Sequence, residues 1–210
     1  MLASLLGSQA MVPLVEVDDA AVAIEVARAL VNNGLPAFEV ALRSPGAMGA
    51  LARVRKELPE AVVGAGTVVS AHQLGEAVHA GAAFAVSPGS TPEMLEAATR
   101  CPVALIPGVA TVTELMRVAD AGFEEVKFFP ASASGGASAV ASLATVNPSV
   151  RFLPTGGIDA DSAQSYLDLE CVLAVGGSWV CPPALIRDRA WDEIGERARS
   201  ASRLRRATVA

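Results

Sequence analysis

Residues 103–131, VALIPGVATVTELMRVADAGFEEVKFFPA, hold one full period of the pattern on which the chain is built. Val103 to Ile106 reads as a short apolar strand closed by Pro107-Gly108. Thr111 stands where a helix N-cap belongs, and the helix it opens runs to about Ala121, where Gly122 stops it. A second apolar strand follows, from about Glu125 to Phe129. Strands that are apolar on both faces and alternate with helices imply a parallel sheet.

The same unit recurs on both sides of this stretch. Upstream, Met11 to Val17 is a strand, and Asp18 or Asp19 caps a helix reaching Asn32 or Asn33 before Gly34. Ala37 to Leu42 is a strand, and Ser44-Pro45 opens a helix that ends near Pro59. Ala61 to Val68 is a strand, followed by a helix from Ser70 to about Ala80. Phe84 to Val86 runs into Ser87-Pro88-Gly89, and Thr91-Pro92-Glu93 begins a helix to about Arg100. Downstream come a weaker helix from Gly136 to Ala144, a strand from Arg151 to Leu153, and a helix capped by Asp159 or Asp161 that reaches Leu169. Val172 to Val175 is the last strand, ending in Gly176-Gly177-Ser178, and one helix extends from Pro182 past Trp191 to near Ser202. Leu2 to Leu6 forms a short helix that packs on the body. Strand starts recur every ~20 to 26 residues, at the compact limit of a strand–helix unit. About eight such units, with no linker between them, predict one domain over residues 1–210 and a single (β/α)8 TIM barrel. An open doubly wound sheet is the alternative, but its usual GxGxxG turn after the first strand is missing.

Composition narrows the function. The chain has 210 residues with 52% hydrophobic and only 4% aromatic content, so its core is aliphatic. A net charge of -6 and no basic stripe argue against nucleic acid. The run Arg203-Leu204-Arg205-Arg206 reads as a solvated helix end or frayed tail. No signal peptide or membrane span is expected, which makes a soluble cytoplasmic protein the default. The three cysteines, Cys101, Cys171 and Cys181, fit no zinc spacing and read as buried thiols. His72 and His79 share one surface helix and are too few for a His-rich metal site.

Chemistry gathers at the carboxyl ends of the strands, where such barrels carry their active sites. Lys127 and Lys56 are the only lysines. Lys56 lies in a charged run, whereas Lys127 is flanked by Val126, Phe128 and Phe129 and points inward. An ammonium held from water is costly unless it is paired or loses its proton, and the neutral amine is the nucleophile of Schiff-base chemistry. A snorkelling lysine or a buried ion pair would account for the same residue. In Phe38-Glu39-Val40-Ala41-Leu42-Arg43, alternation sets Glu39 and Arg43 on one side, facing the interior. They either neutralise each other or divide the work, Glu39 moving protons and Arg43 clamping a substrate carboxylate. Thr155-Gly156-Gly157 and Gly176-Gly177-Ser178 offer backbone N–H groups to a phosphate, or are tight turns that need glycine for positive φ. Gly64-Ala65-Gly66-Thr67 lacks the phosphate-loop lysine and brings Thr67 to the pocket.

Seven of these segments together resemble the bacterial 2-keto-3-deoxy-6-phosphogluconate (KDPG) aldolases, also called 4-hydroxy-2-oxoglutarate aldolases. They are Glu39 to Arg43, Val63 to Val68, Ser87-Pro88-Gly89, Ile106 to Thr111, Lys127 to Ala131, Pro154 to Ile158, and Gly176 to Trp179. The resemblance implies a class I aldolase that needs no metal or cofactor and assembles as a homotrimer. It puts the Schiff-base lysine on Lys127, the general acid/base on Glu39 and the carboxylate-binding arginine on Arg43. Thr67, Pro88 and Phe129 then line the substrate pocket, and Thr155, Gly156, Gly157, Gly177 and Ser178 form its phosphate end. The chain departs from the family pattern at Ala41, commonly Thr, and at Ser132, often Glu. The expected reaction is cleavage of a phosphorylated keto acid to pyruvate and glyceraldehyde 3-phosphate. Its rivals are the galactonate epimer, an imine-free phosphosugar isomerase or epimerase using Glu39 as base, and a catalytically silent binding barrel.

Overall fold

A computed structural model describes residues 1–207. Its strands are β1 (Met11–Val15), β2 (Ala37–Ala41), β3 (Val62–Gly66), β4 (Phe84–Val86), β5 (Ala104–Ile106), β6 (Gly108–Val109), β7 (Glu125–Phe128), β8 (Arg151–Pro154) and β9 (Val175–Gly177). The helices are α1 (Leu2–Leu6), α2 (Ala20–Val31), α3 (Ala47–Glu57), α4 (Ala71–His79), α5 (Pro92–Thr99), α6 (Val112–Asp120), α7 (Gly136–Val146), α8 (Ala163–Leu167), α9 (Pro183–Arg187) and α10 (Trp191–Ala201).

Helix starts follow the caps expected from the sequence. Asp19 accepts from the N–H groups of Ala21 and Val22, Ser70 from Gln73, and Thr91 from Met94. Thr111 and Glu114 form a reciprocal capping box, and the Ala110 N–H, with the Thr111 hydroxyl and N–H, holds the Glu114 carboxyl below its ordinary range. Each cap satisfies a backbone donor that the helix itself cannot.

All the strand pairings are parallel. They join into a curled six-stranded sheet, β5-β4-β3-β2-β1-β9, and a three-stranded sheet, β6-β7-β8. The expected unbroken eight-strand ladder is thus divided, and the division has a local cause. Pro107, between β5 and β6, has no N–H to give the ladder, although its carbonyl accepts from the Lys127 N–H at 2.9 Å. Beyond β8, the sheets are linked by the single bridges Phe152–Val172 and Thr155–Gly176.

Apolar side chains fill two regions. The larger cluster lies between strands and helices and includes Leu30, Leu51, Val54, Leu74 and Leu115. A smaller one gathers Val12, Ala37, Phe84, Val86, Ile106, Leu153 and Ala174 from both sheets, with Leu2 and Leu6 of α1. Burying a ring such as Phe84 stabilises by roughly 1.5–3 kcal/mol. Gly64 makes room for it, since a Cβ there would lie 2.3 Å from the ring. Glu125, at the opposite end of its strand from the candidate site, anchors α1 by accepting from the N–H groups of Leu2 and Ala3 at 2.5 and 3.0 Å.

Five sequence expectations change. The last strand is not Val172 to Val175 but β9, because pairing with β1 sets Met11 against Val175, Val12 against Gly176 and Pro13 against Gly177. The single C-terminal helix is two, α9 and α10, broken at Arg189, whose φ of 54° cannot continue a right-handed helix. The helix after Asp159 is only α8, and its start is set by the Asp159–Ser162 loop bonds. Of the three cysteines only Cys181 is buried, its thiol pushed up to about 12 by desolvation; Cys101 and Cys171 are half-buried. The C-terminal arginines are not all solvated, for Arg206 donates to the carbonyls of Leu173 and Gly7. Among the described residues no helix is long and apolar enough to cross a membrane.

Candidate active site

Parallel strands bring all their carboxyl ends to one edge, and the predicted site residues lie on that edge or in the turns just beyond it. At its centre are Glu39 of β2 and Lys127 of β7. Their side chains are 1% and 3% exposed, and Lys127 Nζ stands 3.6 Å from Glu39 Oε1. That separation is an ion-pair distance but too long for a good hydrogen bond. The amine also lies 5.2 Å from the centroid of the Phe129 ring.

Glu39 Oε2 is buried with no hydrogen-bond partner among the described residues. Leaving a buried carboxylate oxygen unsatisfied costs about 1–3 kcal/mol or more, so Oε2 is the Glu39 atom open to a further hydrogen bond. Gly66, next strand over, makes the space: a Cβ there would come within 2.9 Å of Oε2.

The other predicted residues lie at or just beyond the strand ends, and one of them pairs away from Lys127. Thr67 follows β3 and is half-buried, with a φ of 59°. Pro88 follows β4 in close contact with the β5–β6 turn, where a Cβ on Gly108 would strike its backbone at 2.2 Å. Phe129 sits over Gly156, where a Cβ would be 3.1 Å from the ring. Thr155 is buried and donates from Oγ1 to the Leu153 carbonyl at 3.3 Å. Ser178 is exposed at the end of β9. The one that pairs away is Arg43. It pairs with neither Glu39 nor any residue near Lys127; its guanidinium binds the Glu16 carboxylate across the β1–β2 edge. Among the described residues no group of three or more His, Cys, Asp or Glu side chains is placed to hold a metal ion.

The two glycine turns prove different in kind. Gly156 and Gly157 have φ values of 101° and 72°, which only glycine adopts freely. Gly176 and Gly177 belong to β9 instead, and glycine is required there for clearance. A Cβ would strike Thr155 Oγ1 at 2.3 Å from Gly176, and the Trp179 ring at 2.2 Å from Gly177.

The model of the family described as "Aldolase: KDPG and KHG aldolase" matches residues 2–197. The chain belongs to this family. It is 45% identical over 198 residues to the KHG/KDPG aldolase of Escherichia coli strain K12, covering 94% of this chain and 93% of that protein. Its fold superposes with a TM-score of 0.93 on the Legionella pneumophila KDPG aldolase, whose structure holds pyruvate captured as a covalent carbinolamine. That pair is 38% identical, with 96% and 98% of the two chains covered. The KDPG aldolase of Zymomonas mobilis ZM4, solved with 3-phosphoglycerate, gives a TM-score of 0.91 at 42% identity, covering 99% and 98%.

In this aldolase the residue that sequence reading passed over is Glu16. The signal was present: Val12, Leu14 and Glu16 alternate on one face of the first strand segment, as Glu39 and Ala41 do on the second. Thr67 offers a test of how the aldolase spends conformational strain. A β-branched residue in left-handed backbone costs about 1–2 kcal/mol, partly offset in a glycine variant by glycine's own entropy cost of about 0.5–1 kcal/mol. Thr67→Gly is therefore expected to be as stable as the parent or up to about 1.5 kcal/mol more so, while losing roughly tenfold in kcat/KM if the hydroxyl meets the substrate as the resemblance implies. Thermal melts and steady-state kinetics measure both; a marked fall in stability would show that Thr67 is held by packing and is not strained.

Proposed function

We propose that the chain is a class I aldolase cleaving 2-dehydro-3-deoxy-6-phosphogluconate to pyruvate and glyceraldehyde 3-phosphate. The observation that carries this reading is the buried Lys127 amine 3.6 Å from the equally buried Glu39 carboxylate. The carbinolamine held by the Legionella protein supports an imine route.

In this mechanism the Lys127 amine attacks the C2 ketone, and Glu39, through a water, moves the protons that turn carbinolamine into iminium and release water. The iminium draws the electrons of the C3–C4 bond as Glu39 takes the C4 hydroxyl proton, and the aldehyde leaves. The enamine that remains is protonated at C3, and hydrolysis of the resulting iminium returns pyruvate and the free amine. Arg43 holds the keto-acid carboxylate. Thr155, Gly156, Gly157, Gly177 and Ser178 hold the phosphate, with Thr67, Pro88 and Phe129 as the walls between. Anchoring both ends of the substrate sets the C3–C4 bond in line with the imine.

We further read residues 1–210 as one domain whose two curled sheets are the halves of a (β/α)8 barrel. The break at Pro107 lies within one strand segment, and the interior cluster draws side chains from both sheets. A homotrimer follows from the resemblance alone, and sedimentation tests its size; the cytoplasm is the default location that the sequence suggests. The name of the Escherichia coli relative covers two substrates, which favours 4-hydroxy-2-oxoglutarate as a second substrate here. Side-by-side kinetics on that compound and on the gluconate and galactonate epimers rank the three.

The deciding experiment is borohydride reduction of the protein with pyruvate, followed by peptide mass spectrometry. The peptide bearing Lys127 should gain the mass of a reduced pyruvyl adduct. Label on Lys56, or none at all, rejects the mechanism.

A further inference from the structure

We propose that Glu16 is a specificity-determining residue that occupies the Arg43 guanidinium in the empty site and must be displaced by the carboxylate of the incoming keto acid. The inference rests on the reading of Arg43 as the carboxylate clamp.

Position comes first. In the β1–β2 ladder Leu14 stands against Glu39 and Val15 against Val40. Continued one residue past the end of β1, the same register sets Glu16 level with Ala41. Alternation along β1 places Glu16 on the face that carries Val12, which lies in the interior cluster. Glu16 therefore shares the inward face with Glu39, one step nearer the mouth. On the β2 side Ala41 contributes only a methyl group.

Chemistry comes second. The Glu16 carboxylate is bonded to Nη1 of Arg43, and the two side chains are 36% and 45% exposed. A guanidinium grips a carboxylate best through two parallel N–H donors. With Nη1 engaged by Glu16, the end-on Nη1/Nη2 fork of Arg43 is taken, and a ligand carboxylate must displace Glu16 to use it or settle for the side-on Nε/Nη2 edge. The pair is also neutral overall, so the clamp gives no net positive field to draw in an anion. Glu16 thus imitates the group that the substrate brings. Because it is half-exposed, it swings into water at little cost once displaced. The competing structure predicts weaker binding of every ligand with a carboxylate next to its ketone, and no effect on ketones without one.

The ion pair is solvent-screened and weak, so the expected effect is modest. In Glu16→Gln the concentration of pyruvate giving half-maximal borohydride inactivation should fall about two- to fivefold, with Glu16→Ala behaving alike. The half-maximal concentration of hydroxyacetone, a ketone with no carboxylate, should stay unchanged in both. A rise for pyruvate would mean that Glu16 positions Arg43 and does not compete with the ligand, and overturns the proposal. No change, or an equal change for both ketones, overturns it as well. Arg43→Met separates the two levels of the claim. If it weakens pyruvate capture and the Glu16 variants do nothing, the clamp stands and the competitor falls. If it leaves pyruvate capture untouched, the clamp assignment fails and takes the competitor with it, while labelled Lys127 still supports the aldolase.

Discussion

Lys127→Met is expected to lower kcat for aldol cleavage at least ~10⁴-fold, equivalent to about 5.5 kcal/mol of lost transition-state stabilisation. The imine is the only electron sink in the proposed reaction, and no other amine can supply it. Lys56, the one remaining lysine, is exposed on α3. The same substitution should also reduce stability. It leaves Glu39 buried beside an apolar side chain, and removing one partner of a buried pair costs about 3–5 kcal/mol. A loss of activity could then be mistaken for unfolding, and Lys127→Arg removes that ambiguity. Arginine keeps a cation near Glu39 but forms no imine under these conditions, so it should melt closer to the parent and still be inactive. A lactate-dehydrogenase-coupled assay for pyruvate together with thermal melts reads both quantities. Pyruvate release by Lys127→Arg would show that cleavage does not pass through the Lys127 imine, and phosphosugar isomerisation or epimerisation that survives in this variant would favour the imine-free rival.

Glu39→Gln carries the second large effect. A positioned general acid/base contributes about 10²–10⁴-fold, and in the proposed mechanism one carboxylate serves carbinolamine dehydration, C4 deprotonation and enamine protonation. We expect kcat to fall about 10³-fold, near the middle of that range, with KM within a few fold because Arg43 and the glycine turns are intact. The glutamine keeps the shape of the pocket under Gly66, and its amide can stay in the space that Oε2 occupies without a partner. Stability should therefore change less than in Lys127→Met. Exchange of the pyruvate methyl protons with solvent, followed by NMR, reports imine and enamine formation without C3–C4 cleavage and should slow in parallel. A variant retaining more than a tenth of the parent rate would show that some other group moves the protons.

How much of this is legible in the sequence depends on how far apart in the chain the partners lie. Asp19, Ser70, Thr91 and Thr111 cap their helices as expected, because a cap acts on N–H groups only two or three residues away. The strands β2, β4 and β7 fall within a residue or so of their expected limits, since apolar runs bounded by turn residues carry their own ends. β9 departs from its expected limits because they are set by hydrogen bonds to β1, and no local signal states that register. The break between α9 and α10 is equally silent, for nothing in Asp188-Arg189-Ala190 announces a left-handed residue.

The site divides along the same line. From the sequence alone came an amine enclosed by apolar neighbours, a glutamate and an arginine on alternating positions of one strand, and glycine turns at strand ends. Those are properties of a side chain and its near neighbours, and periodicity is enough to state them. Which charges meet was decided only in three dimensions. Glu39 faces Lys127, which enters from a different sheet, and Arg43 turns to Glu16 on the adjacent strand. Gly176 and Gly177 are needed for the space taken by Thr155 and Trp179, and Gly156 and Gly157 for their backbone angles. Coulomb attraction and steric exclusion act between atoms a few ångströms apart, whatever their separation along the chain, so curvature of the sheet had to bring those atoms together before either could choose partners.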